Sequence, residues 1–109
     1  MNKKRRNLLK EIQRKIELYK PDPDTYKQFF LNVGTEVGIV QSEEEDAFDS
    51  MPENLQGSMR GMSSEEAIDY LVEAHDIIDD IRETDPFDED TVIDKMFDAA
   101  GLIEDAILC

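Results

Sequence analysis

SEEAIDYLVEAHDIIDDIR, residues 64–82, is the stretch on which the fold turns. Ala67, Ile68, Leu71, Val72, His75, Ile78 and then Ile81 or Arg82 follow a seven-residue step, and the AID of 67–69 is echoed by the AHD of 74–76. Glu65, Glu66, Asp69, Glu73, Asp76, Asp79 and Asp80 occupy the opposite side. An apolar stripe backed by carboxylates is an amphipathic helix, and Ser63 with Glu66 forms a capping box that starts it at Ser64.

Upstream lies MPENLQGSMRG, residues 51–61. Ser50 with Glu53 is a second capping box, Pro52 suits a first turn, and Gly57 suits a left-handed stop. Leu55 and Met59 are then the apolar plugs of a corner, and the segment reads as a connector more readily than as a binding loop. Before it, Val37, Ile39, Val40, Ala47 and Phe48 surround the carboxylates 43–46. Three β-branched residues within 37–40 admit a strand. The carboxylate block and the lack of any partner strand favour a helix from residue 39, making 39–82 an antiparallel helical hairpin.

The flanks are helical as well. Leu8, Leu9, Ile12, Ile16 and Tyr19 give residues 1–20 a helical stripe, stopped by Pro21 and Pro23. PDPDTYKQFFLNVG, 21–34, opens as a turn and reads as a short helix ended by Gly34. After the breaker ETDPFDED, residues 90–108 place Val92, Ile93, Met96, Phe97, Ala100, Ile103 and Ile107 at helical spacing. Gly101 either weakens that helix or lets another approach closely. The expected architecture is a single all-α domain, 1–109, a small helical bundle built on the hairpin with the basic first helix beside it.

A chain of 109 residues supports one core. Carboxylates outnumber Lys and Arg by 27 to 12, for a formal charge of −15. The asymmetry is sharp. Residues 1–20 hold eight bases and two acids, net +6, whereas residues 21–109 hold four bases and 25 acids, net −21. Such a body repels nucleic acid and membranes and attracts basic proteins or cations. The basic segment either packs on the acidic helices or binds phosphate or a partner's acidic face, and its apolar stripe favours packing.

Cys109 is the only cysteine, so no internal disulfide forms, and a reducing cytoplasm is the expected compartment. The basic N-terminus lacks the apolar stretch of a signal peptide, and no apolar run reaches membrane-spanning length. His75 is the only histidine, and with Asp76 and Asp79 it lacks a second nitrogen or sulfur ligand for zinc. DPFDEDTVIDKM, 85–96, fails as an EF-hand loop: Phe87 takes the third position, Asp90 the sixth and Met96 the twelfth. With no glycine-rich phosphate loop and no Ser-His-Asp or Cys-His set, we expect no enzyme activity, no cofactor and no metal site.

The acidic faces remain as the candidate site. Carboxylates repeating on rigid helices imitate a nucleic-acid backbone and suit the basic groove of a nucleic-acid-binding protein, although most charge runs are simply solvated. The candidate contact residues are Glu43, Glu44, Glu45, Asp46, Asp49, Asp69, Glu73, Asp76, Asp79 and Asp80. The alternative is an oligomeric coiled-coil scaffold or adaptor, self-associating as a homodimer through the stripe at 68, 71, 75 and 78.

Residues 43–81, EEEDAFDSMPENLQGSMRGMSSEEAIDYLVEAHDIIDDI, resemble a group of small acidic helical-hairpin proteins of bacteriophages and prophages. There a carboxylate-rich helix meets a turn reading approximately N-M-P-E-N-L-Q-x-S, matched here by 49–58, and an Ala-Ile-Asp heptad helix follows, matched by 66–81. This chain departs in carrying PDPDTYKQFFLNVG and ETDPFDED, which the simple hairpins lack. The resemblance implies a phage or mobile-element origin in a bacterial host and transfers no catalytic residues. Proteins of that kind are similar in character to anti-restriction and anti-CRISPR inhibitors, so a CRISPR nuclease is an expected target by analogy of class.

Overall fold

The computed structural model describes all 109 residues and contains five helices: α1 Lys3–Leu18, α2 Tyr26–Asp49, α3 Glu53–Gln56, α4 Met59–Glu83 and α5 Glu89–Leu108. There is no strand. Consecutive long helices run antiparallel, and packing joins α4 to α2 and α5, and α1 to α5 and α2. The four long helices thus close a ring in which α1 lies diagonally across from α4, an up-and-down bundle. Its long dimension is 49 Å.

Each helix buries one line of side chains. Leu9, Ile12 and Ile16 come from α1, Val33, Val37 and Val40 from α2, and Leu71, Ala74, Ile78 and Ile81 from α4. Val92, Met96, Ala99, Ile103 and Ala106 complete the core from α5. Full burial of each large apolar side chain contributes roughly 1.5–3 kcal/mol. Aromatic rings close the end where α1 turns into α2: Tyr19 stacks on Phe29 with centroids 3.9 Å apart, and Phe30 meets both edge-on. The α4–α5 link is tied to the same end, since the Tyr26 hydroxyl donates to the Thr84 carbonyl at 2.6 Å and Phe87 packs on the Tyr26 ring.

Several boundaries differ from the sequence expectation. The hairpin's first helix begins at Tyr26, and Gly34 lies inside it. A methyl group at Gly34 would sit 3.3 Å from the Ile78 Cγ2, so this glycine lets α2 and α4 approach closely. α4 begins at Met59, with Ser58 as N-cap accepting from the Gly61 amide at 3.4 Å, so the Ser63 box is not used. Ser50 does not cap α3 either: its N-cap is Pro52, with no side-chain bond. Gly57 has φ −84°, ordinary helical backbone. Leu55 is 41% exposed and Met59 86%, so neither plugs the core. Gln56 closes the corner by donating to the Phe48 carbonyl at 3.1 Å.

On α4 the buried line is Ala67, Leu71, Ala74, Ile78 and Ile81, rotated slightly from the expected stripe because two neighbouring helices flank it. Val72 is exposed as a result. On α5, Ile93 and Phe97 also leave the core, with Phe97 81% exposed.

Candidate acidic interaction surface

Commitment of one face of α4 to its neighbours drives its carboxylates outward. Asp69, Glu73, Asp76 and Asp80 are exposed and, with Glu65 and Glu83, form one ridge. A rise of about 1.5 Å per residue spaces successive members of the 69–73–76–80 series by about 4.5–6 Å. None of these four takes part in an ion pair.

Asp79 stands apart from the ridge. Its Oδ2 lies 3.4 Å from His75 Nδ1, and its Oδ1 accepts from Arg82 Nη1 at 3.2 Å. His75, half-buried, lies over α2, with Nε2 3.9 Å from where a methyl group on Gly34 or Gly38 would be. His75, Asp76 and Asp79 bring one ligand atom each within 4.8 Å of one another. That trio offers a single nitrogen and two carboxylates, one of them shared with Arg82, short of the four ligands of a structural zinc.

The carboxylates of α2 divide by helical phase. Asp46 and Asp49 are exposed, and Glu43 and Glu45 are half-buried, Glu45 accepting from Gln41 Nε2 at 3.0 Å. Glu44 faces inward and is 1% exposed. Its Oε2 accepts from the Ser64 hydroxyl at 2.9 Å, and its Oε1 lies 3.4 Å from Arg5 Nε and 3.8 Å from the Met1 amino group. The expectation of a surface role for Glu44 is therefore corrected: this carboxylate ties α1, α2 and α4 together. A signal was present in the sequence. Val33, Val37, Val40 and Glu44 follow one 4-3-4 line, and Ser64, Ala67, Leu71 and Ala74 follow a 3-4-3 line, so the two polar residues end facing apolar lines.

Glu44 opposite Ser64 and Gly34 opposite Ile78 set the register of the pair. Along α4 those points are about 21 Å apart, from 14 residues at 1.5 Å each. The ten candidate residues accordingly do not form one patch. Glu43, Glu45, Asp46 and Asp49 cluster near the start of α4, whereas Asp76, Asp79 and Asp80 lie in its far half.

Negative potential extends to the seam between α4 and α5. The Tyr70 phenol is pushed above its ordinary range, mainly by the Asp105 charge and then by burial. The Cys109 thiol is also pushed up, mainly by burial and then by Glu66 and Asp105. α1 meets this body through its apolar line and a few polar ties: Arg5 to Glu44, Lys15 to Glu36 at 3.0 Å, and Arg6 Nη2 to the Cys109 carbonyl at 2.7 Å. Lys3, Lys4, Lys10, Arg14 and Lys20 remain exposed.

No protein-family model, curated protein or solved structure matches this chain. Of the stripe at 68, 71, 75 and 78, Leu71 and Ile78 are buried within the bundle and Ile68 and His75 are half-buried. No helix is long and apolar enough to cross a membrane.

Proposed function

We propose that the protein is a non-enzymatic inhibitor of phage or mobile-element origin that acts in the bacterial cytoplasm. Its acidic surface occupies the basic, phosphate-binding groove of a nucleic-acid-binding defence protein such as a CRISPR nuclease. The observation that carries this reading is the ridge Asp69, Glu73, Asp76 and Asp80: four exposed carboxylates on one rigid helix, none neutralised by a neighbouring cation. Charge density supports it. The four ridge charges follow one another at intervals of about 4.5–6 Å along the helix axis, against about 3.4 Å per phosphate along one strand of a duplex. The ridge groups are carried on the backbone of one long helix, so little backbone ordering entropy is lost when a partner binds.

The test begins with the full chain as bait in bacterial lysate, with and without nuclease treatment and in low and high salt. Capture of a nucleic-acid enzyme that is lost in salt and competed by DNA or RNA supports the reading. Replacing Asp69, Glu73, Asp76 and Asp80 by Lys then abolishes inhibition of that enzyme while helical content is retained. Inhibition that survives the four reversals refutes mimicry by this ridge.

A further inference from the structure

Beyond the ridge, α5 carries a second apolar face that the bundle does not use. Val92, Met96, Ala99 and Ile103 point inward, whereas Ile93, Phe97 and Leu108 point out, with Phe97 81% and Leu108 77% exposed. Around Gly101 lies a shallow, open notch of about 470 Å³, walled by Phe97, Leu102 and the Ile77 of α4 and rimmed by Asp98, Glu104 and Asp105.

Gly101 has no packing reason to be glycine. Its backbone is helical, and an added methyl group would meet nothing within 4 Å. Gly34 and Gly61 differ: a methyl group there would meet Ile78 or the Gln56 backbone. In the middle of an exposed helix face, glycine weakens the helix relative to alanine with no return inside the fold. Gly57 is as open, but only Gly101 lies beside an aromatic side chain left in water.

We propose that this notch docks a basic amphipathic helix of another protein, which inserts an aliphatic side chain against Phe97 over Gly101 and sets Lys or Arg on the rim carboxylates. Charge selects the occupant. Asp98, Glu104 and Asp105 take part in no ion pair, and the body from residue 21 onward carries −21. A second copy docked face to face would bring these carboxylates against their own equivalents. A cationic segment brings the complementary charge, and helix-in-groove recognition needs one well-buried anchor of this kind. The inference is independent of the ridge on α4 and stands if mimicry fails.

The experiment uses the intact protein and two synthetic peptides of Lys, Leu and Ala, identical in composition. One places its Leu residues along a single helical face, and the other is scrambled. Fluorescence anisotropy should give the amphipathic peptide about tenfold tighter binding than the scrambled one, and both Phe97→Ala and Gly101→Leu should erase that difference. Amide shift changes should centre on residues 93–105 and Ile77. Gly101→Leu fills the notch while improving helix propensity, so its thermal melt controls for folding. Equal affinity for the two peptides reduces the attraction to bulk charge and overturns the proposal. An unaffected Phe97→Ala variant overturns it too. So does a concentration-dependent dimer that Phe97→Ala dissociates, since a second copy is then the occupant.

Discussion

Removing the hydroxyl of Ser64 tests whether Glu44 belongs to the interior or to the surface. Both side chains are about 1% exposed, and the bond between them is 2.9 Å. A hydrogen bond to a charged group contributes about 1.5–3 kcal/mol, and its loss leaves a buried carboxylate oxygen unsatisfied. Ser64→Ala should therefore cost about 2 kcal/mol. Near this chain length about 4 °C of Tm accompanies each kcal/mol, so the melt should fall by about 8 °C. Glu44→Ala should cost more, about 3 kcal/mol, because Arg5 loses its partner; with 15% of its side chain exposed, Arg5 recovers part of its hydration, which keeps the figure at the low end.

Urea unfolding followed by far-UV circular dichroism reads these differences, and a double-mutant cycle of Ser64→Ala with Glu44→Ala, each of which removes the bond, should return a coupling of about 1–2 kcal/mol. Neither substitution should weaken partner binding measured well below the melt. A Ser64→Ala change within about 0.5 kcal/mol of the parent would refute the reasoning, because that is the scale of an indifferent surface substitution.

Glycine substitutions should separate by site. Gly61→Ala drives a methyl group into the Gln56 backbone carbonyl and should destabilise by about 1–3 kcal/mol, whereas Gly101→Ala meets open space and should stabilise by about 0.5–1 kcal/mol in the same urea assay. Tyr26→Phe removes the hydroxyl that donates to the Thr84 carbonyl and should cost about 1 kcal/mol, with faster amide exchange in the 84–88 link. The raised pKa of the Cys109 thiol means less thiolate at neutral pH, so iodoacetamide should alkylate it more slowly in the folded than in the urea-unfolded chain. Replacing Glu66 and Asp105 by their amides should speed that reaction, and equal folded and unfolded rates would contradict the assigned environment.

Helical class was readable because four segments repeat apolar residues at 3–4-residue intervals, and the one opposing propensity, the β-branched cluster within 37–40, had no partner strand. Boundaries were harder for a physical reason. Gly34 ends a helix by local chemistry, yet here a close α2–α4 approach over Ile78 makes glycine useful within one, and the two apolar clusters either side of it fuse into α2. The α5 stripe misled in the other direction. Ile93 and Phe97 sit one step from Val92 and Met96, and which side faces the bundle depends on where α4 and α1 lie. For the acidic site, the α4 ridge was legible as the reverse of its stripe. Glu44 was masked because three consecutive glutamates look equivalent until the 33–37–40 line is extended by one turn.

The diagonal placement of α1 and α4 adds a consequence for kinetics. α1 touches α2 and α5, so its exposed Lys3, Lys4, Lys10 and Arg14 lie across the bundle from the carboxylate ridge. Neutralisation by α1 occurs at Glu36 and Glu44, on α2, and leaves the α4 ridge unpaired. The molecule is therefore polarised across its short dimension, and a basic groove attracts the α4 side while repelling the α1 side. Such a field orients the encounter before contact and acts on the association rate. With a captured nucleic-acid enzyme on a sensor surface, replacing Asp69 and Asp76 by Asn should lower the association rate and flatten its salt dependence, with a smaller change in dissociation. Replacing Lys10 and Arg14 by Gln should leave dissociation unchanged and alter association only modestly. An effect confined to dissociation would mean that the ridge makes short-range contacts without steering, and the polarised arrangement would then have no role in encounter.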